Sequence, residues 1–475
     1  MEDQTMAVGD SPTLDRSKAV SLDGRRFQFT APIESAVEPG TFVTLGSDSE
    51  RIQLGQVENI EFSIGGTLSG GGRILGAISE SGTLEARKTM PFALAEMGNA
   101  EANMIELLYG NTAAPLVIGS YVSGGDIPAR LLPNRFNRHT FWCGQSGSGK
   151  TYALGVVLEQ ILIHSALPMV ILDPNADFVR LSEPNSHGGQ AGAASVIADR
   201  DIQILRPGPN GPDSLRVRFR DMSLQSKAAV LRLHPLTDHA EYNELIHLEQ
   251  TVGIVSPELI VPTLRARESK AAQTLAARIE NLRVTEWQVW AAGAKAVTDV
   301  LEERPDATVL DLGGFAYPDE SLVVALAVLD DLWEKREQRR PILIVIDEAH
   351  NLCSAEQNSP LNVAVRERII QIAAEGRKFG LWLLLSTQRP SRVHPSIISQ
   401  CDNLALMKMS SPHDLEELAT IFGFVPAAMF ARSPGFRQGE ALFAGGFVPA
   451  PTIVTMGARL THEGGADVGV PMRQP

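Results

Sequence analysis

The pattern of apolar and polar residues changes about 140 residues into the chain. Before that point, short β-prone runs such as Thr41 to Leu45 and Ile52 to Ile60 are separated by turn residues, including Pro39-Gly40 and the glycine-rich stretch 65–72. Such runs are typical of antiparallel strands. Beyond it, continuous apolar runs alternate with segments of helical spacing, which is typical of a parallel sheet covered by helices. We therefore predict a small N-terminal antiparallel β-barrel followed by an α/β domain.

The same pattern divides the chain into segments. In chain order, they are a disordered tail (1–20), the barrel (21–108), a connector (109–138), the α/β domain (139–455) with a helical insertion at about 221–292, and a C-terminal segment (456–475). The barrel carries no catalytic constellation, so we expect it to serve assembly or docking. In the connector, only Leu116 to Tyr121 resembles a strand, and residues 184–194 are expected to form a surface loop. Basic residues of the insertion are interpreted as a solvated face, with a nucleic-acid or subunit contact as the alternative.

A glycine-rich octet fits the phosphate-binding pattern G-x-x-x-x-G-K-[ST] at every specified position. It consists of Gly144, Gln145, Ser146, Gly147, Ser148, Gly149, Lys150 and Thr151. An apolar run, His139 to Cys143, precedes it, and residues 152–164 have helical spacing, so strand, loop and helix follow in the required order. In such a loop, successive backbone N–H groups surround a triphosphate. Lys150 can then reach the β- and γ-phosphates, and Thr151 can bind Mg²⁺.

Two acids follow the apolar run Pro341 to Ile346, at 347 − 150 = 197 residues beyond Lys150. In P-loop enzymes an Asp at this place holds the Mg²⁺ shell, which is the predicted role of Asp347. Glu348 comes next and is the predicted general base that polarises the attacking water. The pair turns a prediction of nucleotide binding into one of hydrolysis. Another buried run ends at Asp173, which open α/β sheets would also place at the ligand-binding edge.

A further strand, Leu381 to Gln388, ends in an amide that is placed to sense the γ-phosphate, although an amide capped by backbone is the simpler interpretation of Gln388. The preceding helix, Arg366 to Lys378, carries Arg377 near its end. A guanidinium offered to the γ-phosphate of a neighbouring subunit would stabilise transition-state charge. Arg377 is our first candidate for this trans-acting role and Arg389 the second, while a helix-end or interface salt bridge is the alternative for either.

Composition changes this picture little. The net charge of −14 argues against a surface coated for nucleic-acid binding, although a motor that grips a polymer only in a narrow channel can stay acidic. Cys143, Cys353 and Cys401 lack metal-ligand spacing and are expected in the core, consistent with a reduced compartment. No apolar run approaches the roughly 18 residues that span a bilayer. We therefore expect a cytoplasmic protein without membrane insertion.

Several stretches together resemble the HerA family of the HerA/FtsK superfamily, which are hexameric DNA-translocating ATPases, and we expect a bacterial member. The stretches are GQSGSGKT after His139 to Cys143, Leu172-Asp173-Pro174, VIDEAHNL at Val345 to Leu352, and EGRKFGLWLLLSTQRPSRVHPSIISQ at Glu375 to Gln400. Gly439 to Leu442 with Arg459 to His462 is similar to the family's C-terminal segment, which braces neighbouring subunits. One departure is Asn175-Ala176-Asp177, where the family tends to have a His-Gly-acid turn.

The resemblance implies a RecA-like P-loop ATPase core that binds ATP and Mg²⁺. Lys150, Thr151, Asp347 and Glu348 would form its centre, with Gln388 as sensor and an arginine near Arg377 acting across subunits. It also implies a hexameric ring with double-stranded DNA in the pore. The Asp-Glu-Ala-His sequence at 347–350 also occurs in one class of RNA helicases, but nothing after Gln388 supplies their arginine-rich final motif.

The leading functional hypothesis is an ATP-driven motor, a translocase or helicase that feeds DNA to a partner nuclease. The alternative is a nucleotide-gated hexameric scaffold in bacterial antiviral defence, which would activate a partner effector such as a nuclease or a sirtuin-like NADase. The acidic balance favours this alternative slightly. A conjugation or secretion ATPase is a third possibility, weakened by the missing membrane segment.

Overall fold

The computed structural model describes residues 17–46, 52–63, 66–110, 115–185, 191–209, 211–252, 257–291, 293–356 and 359–465. The strands are β1 Lys18–Ser21, β2 Arg26–Pro32, β3 Phe42–Gly46, β4 Gln53–Ser63, β5 Thr67–Ile78, β6 Leu84–Glu85, β7 Phe92–Asn99, β8 Leu116–Tyr121, β9 Pro128–Leu131, β10 His139–Cys143, β11 Met169–Asp173, β12 Ile202–Leu205, β13 Ala307–Asp311, β14 Ile342–Ile346, β15 Leu381–Thr387, β16 Cys401–Met407, β17 Glu440–Gly445 and β18 Thr452–Met456. The α-helices are α1 Ala102–Glu106, α2 Lys150–His164, α3 Ala191–Ala198, α4 Leu224–Val230, α5 His239–Val252, α6 Pro257–Arg265, α7 Lys270–Asn281, α8 Val297–Glu303, α9 Pro318–Glu334, α10 Pro360–Glu375, α11 Pro395–Ile398, α12 Pro412–Ile421 and α13 Ala427–Phe430.

The first strands form an antiparallel barrel. Their order is β2-β1-β7-β3-β4-β5-β6, and β2 also pairs with β5, so that β1 to β5 and β7 close into a ring while β6 pairs with the end of β5. Alternating residues such as Phe27, Phe29, Val43 and Leu45 fill the interior, because successive side chains of a strand point to opposite faces. The predicted N-terminal barrel is confirmed.

One expectation within the barrel is wrong. Gly70, Gly71 and Gly72 lie inside strand β5 and not in a turn, and Gly66, with a φ of 81°, is in the turn before it. Aromatic rings of β2 occupy the space where side chains would stand. A Cβ atom at Gly72 would lie 2.5 Å from Cζ of Phe27, and one at Gly70 would lie 2.7 Å from Cε1 of Phe29. The glycines therefore allow close packing, which turn statistics do not reveal.

The second unit is built on a large mixed sheet. Its order is β12-β13-β11-β14-β15-β10-β16-β17-β18-β8-β9. The strands from β12 to β16 in this order run parallel, and β17, β18, β8 and β9 continue antiparallel. The central strands are buried on both faces, which explains their continuous apolar sequences.

Residues on the two faces of this sheet belong to separate parts of the core. On one face, Trp142 and Ile171 pack in a cluster with Leu154 and Leu158 of α2. On the other face, side chains such as Leu172 pack in a cluster with α9, α10 and the helices α4 to α7. Helices on both faces of a mainly parallel sheet define the predicted α/β fold, which is confirmed.

The segment boundaries differ from the expected ones. Residues 18–21 form β1, so the part of the expected tail that the structure describes is a barrel strand; residues 1–16 lie outside the described residues. The expected connector, 109–138, contributes β8 and β9 to the edge of the large sheet. Of the expected loop 184–194, residues 186–190 are outside the described residues, and 191–194 begin α3. Leu116 to Tyr121, predicted as a strand, is confirmed as β8, whereas β1 and β9 were not predicted from the local pattern.

Helices α4 to α7 occupy the stretch predicted as a helical insertion. Arginines of this stretch pair with acids of the same chain. The pairs are Arg265 with Glu280 at 2.6 Å, Arg267 with Glu244 at 2.7 Å, and Arg278 with Asp238 at 2.8 Å. Among the helices that the structure describes, none combines the length and the apolar character needed to cross a bilayer.

Candidate nucleotide-hydrolysis site

The glycine loop lies between β10 and the first turn of α2, and neighbouring strands hold it from outside. The Gly144 N–H donates to the carbonyl of Thr387 (3.3 Å), and the Gln145 N–H donates to that of Lys408 (2.8 Å). Gly147 and Gly149 have φ values of 76° and 85°, a backbone conformation that glycine adopts readily. The loop therefore has a shape fixed by β15 and β16, and it leads directly into a helix N-terminus, which favours anions.

Lys150 extends from the first residue of α2 to the ends of two other strands. Its Nζ lies 2.9 Å from Oδ1 of Asp347, 3.2 Å from Oε1 of Glu348 and 2.8 Å from Oγ of Ser386. The side chain is almost fully buried. Burial by itself would lower the pKa of Lys150, but the carboxylates of Asp347 and Glu348 outweigh it and raise the pKa. The ammonium is thus a fixed positive charge at the carboxyl ends of the strands.

Glu348 follows β14 in a left-handed conformation, with a φ of 43°. This turn directs its carboxylate to β15, where Nε2 of Gln388 donates to Oε1 at 2.7 Å. Nδ1 of His350 lies 3.2 Å from the other oxygen and 3.1 Å from Oγ1 of Thr387. Burial alone would raise the pKa of Glu348, but the hydrogen bonds from His350 and Gln388 and the charge of Lys150 lower it to about 2. The carboxylate is therefore ionised at neutral pH.

Three further carboxylate oxygens, from Asp173, Asp177 and Asp347, lie within 4.8 Å of one another. Oδ1 of Asp173 accepts from the Asp177 N–H (3.0 Å), and its Oδ2 accepts from the Phe178 N–H (2.8 Å). Burial, and then the charge of Asp347, raise the pKa of Asp177 to about 6; that of Asp173 rises to about 7 for the same reasons. Among the described residues, the buried Oδ2 of Asp347 has no hydrogen-bond partner. Mg²⁺ prefers oxygen ligands, and a carboxylate oxygen without a hydrogen-bond partner is available to bind it.

An open cleft of about 660 Å³ lies at this site. Its lining includes the glycine loop, Lys150, Thr151, Asp177 and Gln388. Gln438 and several residues between 456 and 465 complete the lining. The volume is in the range of small-molecule sites.

Arg377 lies outside this cleft. It precedes β15, whereas the glycine loop lies at the other end of the parallel strands, roughly 20 Å away by the length of a seven-residue strand. Nη1 of Arg377 pairs with Oδ2 of Asp402 at 2.9 Å. Arg389, in contrast, is exposed beside Gln388 at the cleft end of β15. Arg377 is therefore unable to reach the glycine loop of its own chain.

Two residues of the site were not predicted from the sequence. Ser386 contacts Lys150, and His350 contacts Glu348. Ser386 stands two residues before Gln388, and His350 is part of the Asp-Glu-Ala-His sequence, but their contacts depend on β14 and β15 being neighbours. The Asp177 carboxylate also comes to the site, although the turn around it departs from the family pattern.

A strand, a glycine loop and a helix that carries Lys150, facing acids at the end of β14, define the class of this protein: it is a P-loop ATPase. Comparison with known proteins is consistent with this class. Residues 116–331 match the family model described as the central domain of helicase HerA.

Two curated relatives match over most of the chain. A probable helicase of Methanocaldococcus jannaschii is 22% identical over 428 residues, covering 84% of this chain and 78% of the relative. The DNA double-strand break repair helicase HerA of Pyrococcus furiosus is 23% identical over 437 residues, covering 78% of this chain and 76% of the relative. The chain is thus similar to HerA helicases along most of its length.

Solved structures show the same fold. VirB4 of Thermoanaerobacter pseudethanolicus superposes with a TM-score of 0.51 at 15% identity, covering 73% of this chain and 97% of that one. The bacterial conjugative coupling protein TrwB superposes with a TM-score of 0.50 at 14% identity, covering 76% and 93%. At these identities, the likeness concerns the fold alone.

Proposed function

We propose that this protein is an ATP-hydrolysing ring motor, a hexamer that translocates along or unwinds double-stranded DNA and works with a partner nuclease. The observation that carries the proposal is the convergence of Lys150, Asp347, Glu348 and Gln388 at one edge of the sheet. The relatives, a probable helicase and a DNA double-strand break repair helicase, support DNA as the substrate.

The proposed chemistry begins with the triphosphate on the loop. Its γ end would meet the Lys150 ammonium, which neutralises charge, while Glu348 accepts a hydrogen bond from the attacking water and orients it. Thr151 and Asp347 would hold Mg²⁺, which supplies further charge neutralisation at the phosphates. When the Lys150 ammonium turns to the phosphates, Glu348 loses the positive charge that helps to lower its pKa. Its carboxylate then becomes a stronger proton acceptor at the moment a substrate is present.

Gln388 is proposed to report the state of the γ-phosphate. Its amide already bonds to Glu348, and the segment that follows begins with the exposed Arg389. A change at the phosphate that moves Glu348 would therefore move the end of β15. Arg377, which is far from its own loop, is proposed to act on the site of the neighbouring subunit.

The experiment that tests the motor is ATP turnover measured with and without duplex DNA over a range of salt concentrations. We expect duplex DNA to stimulate turnover, and the stimulation to decrease as salt rises, because phosphate contacts release counterions. Lys150→Ala should abolish both the basal and the stimulated rate, whereas Lys295→Ala, at an exposed lysine just before α8, serves as the matched control. Turnover that ignores DNA at every salt concentration would contradict the motor.

The second candidate is the nucleotide-gated scaffold for a defence effector, favoured by the net charge of −14. It is separated from the motor by the behaviour of a hydrolysis-deficient ring. Glu348→Gln in a complex with a copurifying effector should leave effector activity intact if the ring is a scaffold. Loss of effector activity together with hydrolysis would favour the motor.

A further inference from the structure

The lining of the cleft has two parts of different chemistry. In the first, Lys150 and Gln388 line the space, and both are bonded to acids behind them, Lys150 to Asp347 and Glu348 and Gln388 to Glu348. In the second, the lining residues are Gln438, Gly439, Met456, Gly457 and Ala458. We call residues 456–465 the C-terminal strap. Because Lys150 would receive the γ-phosphate, the less charged part of the lining, Gln438 and residues 456–458, is left for the nucleoside.

We propose that the C-terminal strap and Gln438 bind the nucleoside half of ATP and determine which nucleotide the site accepts. The proposal rests on the proposed ATPase function and deepens it. Met456 is half-buried, and Gly457 and Ala458 are small, so this wall leaves room for a planar base beside an apolar side chain. The exposed Gln438 carboxamide can pair with a base edge.

The strap is fixed to the same helix that begins with Lys150. Oε2 of Glu159 accepts from the Leu460 N–H (2.8 Å), and its Oε1 accepts from both the N–H and the Oγ1 of Thr461 (2.9 and 2.6 Å). One turn from the loop, the Tyr152 hydroxyl accepts from the Arg459 N–H at 2.7 Å. Tyr152, Gly155 and Glu159 share one face of α2, at spacings of three and four residues. The distance between the loop and the strap is therefore set by one rigid helix.

Two close approaches strengthen this attachment. A Cβ atom at Gly155 would lie 2.7 Å from Nε of Arg459, so a side chain at this position would displace the Arg459 side chain. Arg459 is 3% exposed, and its guanidinium lies over the Phe178 ring, 5.6 Å from the ring centroid. Further along, the Gly464 N–H donates to the carbonyl of Asp177 at 3.0 Å. The strap thus contacts both α2 and the turn that carries the acids.

Gln438 is joined to the loop by a separate route. The Gly439 N–H donates to the carbonyl of Ser148 at 3.0 Å, and a Cβ atom at Gly149 would lie 3.5 Å from Cγ of Gln438. Met456 in turn donates its N–H to the carbonyl of Gly439 at 2.8 Å. Gln438 and the strap therefore form a continuous wall next to the phosphate loop.

The test compares ligands with and without a nucleoside. Calorimetric titrations of ATP, ADP and inorganic tripolyphosphate are made on the wild-type protein and on the double variant Gln438→Ala/Met456→Ala. We expect the Kd for ATP and ADP to rise about tenfold or more, while the Kd for tripolyphosphate stays within about twofold. Retained tripolyphosphate binding also shows that the variant is folded. Gln28→Ala/Met90→Ala, at exposed positions of the barrel, is the matched control.

Two results would overturn the proposal: an unchanged Kd for ATP, or an equal loss for ATP and tripolyphosphate, which would mean that the wall shapes the phosphate loop only. Gly155→Ala, which displaces Arg459, should weaken ATP and spare tripolyphosphate in the same way. Failure of the ATPase proposal has a different signature, namely a Lys150→Ala variant that binds both ligands as tightly as the wild type.

Discussion

The two ends of the parallel strands differ in the ionisation of their buried side chains. At the carboxyl ends, Lys150 and Glu348 are buried as ions that neutralise each other, and the pKa of Glu348 falls to about 2. At the amino ends, His139 of β10 is buried as a neutral ring, because burial and the nearby charge of Arg377 lower its pKa to about 4. The charges there, Arg377 and Asp402, stay partly exposed. A fold thus buries ions only where partners, or a ligand, neutralise them.

The largest expected effect on turnover comes from Arg377, at the amino ends of the strands, if it acts on the carboxyl-end site of a neighbouring subunit. Arg377→Ala should lower turnover about 10³-fold or more if its guanidinium completes the neighbour's site. Lys150→Ala should be inactive for a different reason, the loss of its own site. Mixing the two variants in one ring should restore part of the turnover, since some interfaces then combine an intact Lys150 with an intact Arg377. Arg389→Ala is the comparison, as the second candidate for this role.

No recovery on mixing, at subunit ratios where the wild type forms rings, would show that Arg377 acts only within its own chain. Its ion pair with Asp402 would then be its whole role.

Glu348→Gln tests whether the acid at the carboxyl ends of the strands acts as the general base. We expect kcat to fall about 10²- to 10³-fold, because the amide is unable to accept a proton from water. The KM for ATP should change little, since the glycine loop and Lys150 remain. Steady-state turnover and ATP titration measure the two quantities, with the exposed Glu337→Gln as control. A parallel loss of affinity would mean that Glu348 shapes the phosphate site instead.

Gln388→Ala is expected to have a smaller effect, about tenfold in kcat, because it removes one hydrogen bond to Glu348 and leaves Lys150 and His350 in place. The stimulation by DNA should fall more than the basal rate if Gln388 carries information from the phosphate. Gln400→Ala, exposed after α11, is the matched control. An unaltered ratio of stimulated to basal turnover would limit Gln388 to positioning the acid.

The smallest effect concerns stability and leaves the chemistry intact. His139 has a folded-state pKa below its ordinary value of 6.5, so the unfolded chain takes up a proton first as the pH falls. Stability is therefore lost below about pH 6.5, by about 2 kcal/mol between pH 7 and pH 5. His139→Asn should remove this part of the loss, as seen in urea midpoints at the two pH values. Equal losses of stability in both proteins would show that His139 has the same pKa in the folded and the unfolded chain.

The parts of the fold and the site that the sequence predicts are those whose signals lie in one contiguous stretch. The glycine loop and the strand that ends at Asp347 are contiguous patterns with strict chemical demands, so the sequence indicates them directly. The contact of Ser386 with Lys150 depends on strand order, and so does the place of β8 and β9 at the edge of the sheet. The local pattern predicts a turn at the glycines of β5, because the rings that they pack against, Phe27 and Phe29, are more than 40 residues away in sequence. The strap contacts of Glu159 are about 300 residues apart in sequence.

The left-handed backbone of Glu348 is maintained by the contacts of its side chain. An L-residue with a side chain in this conformation costs about 1–2 kcal/mol, a strain that glycine would relieve. Glu348→Gly would also remove a carboxylate that shares the buried Lys150 ammonium with Asp347 and accepts from Gln388. The contacts that lower the pKa of Glu348 to about 2 stabilise the folded chain at neutral pH, so they oppose the gain from glycine. The strained backbone at position 348 is therefore held by the same contacts that form the site.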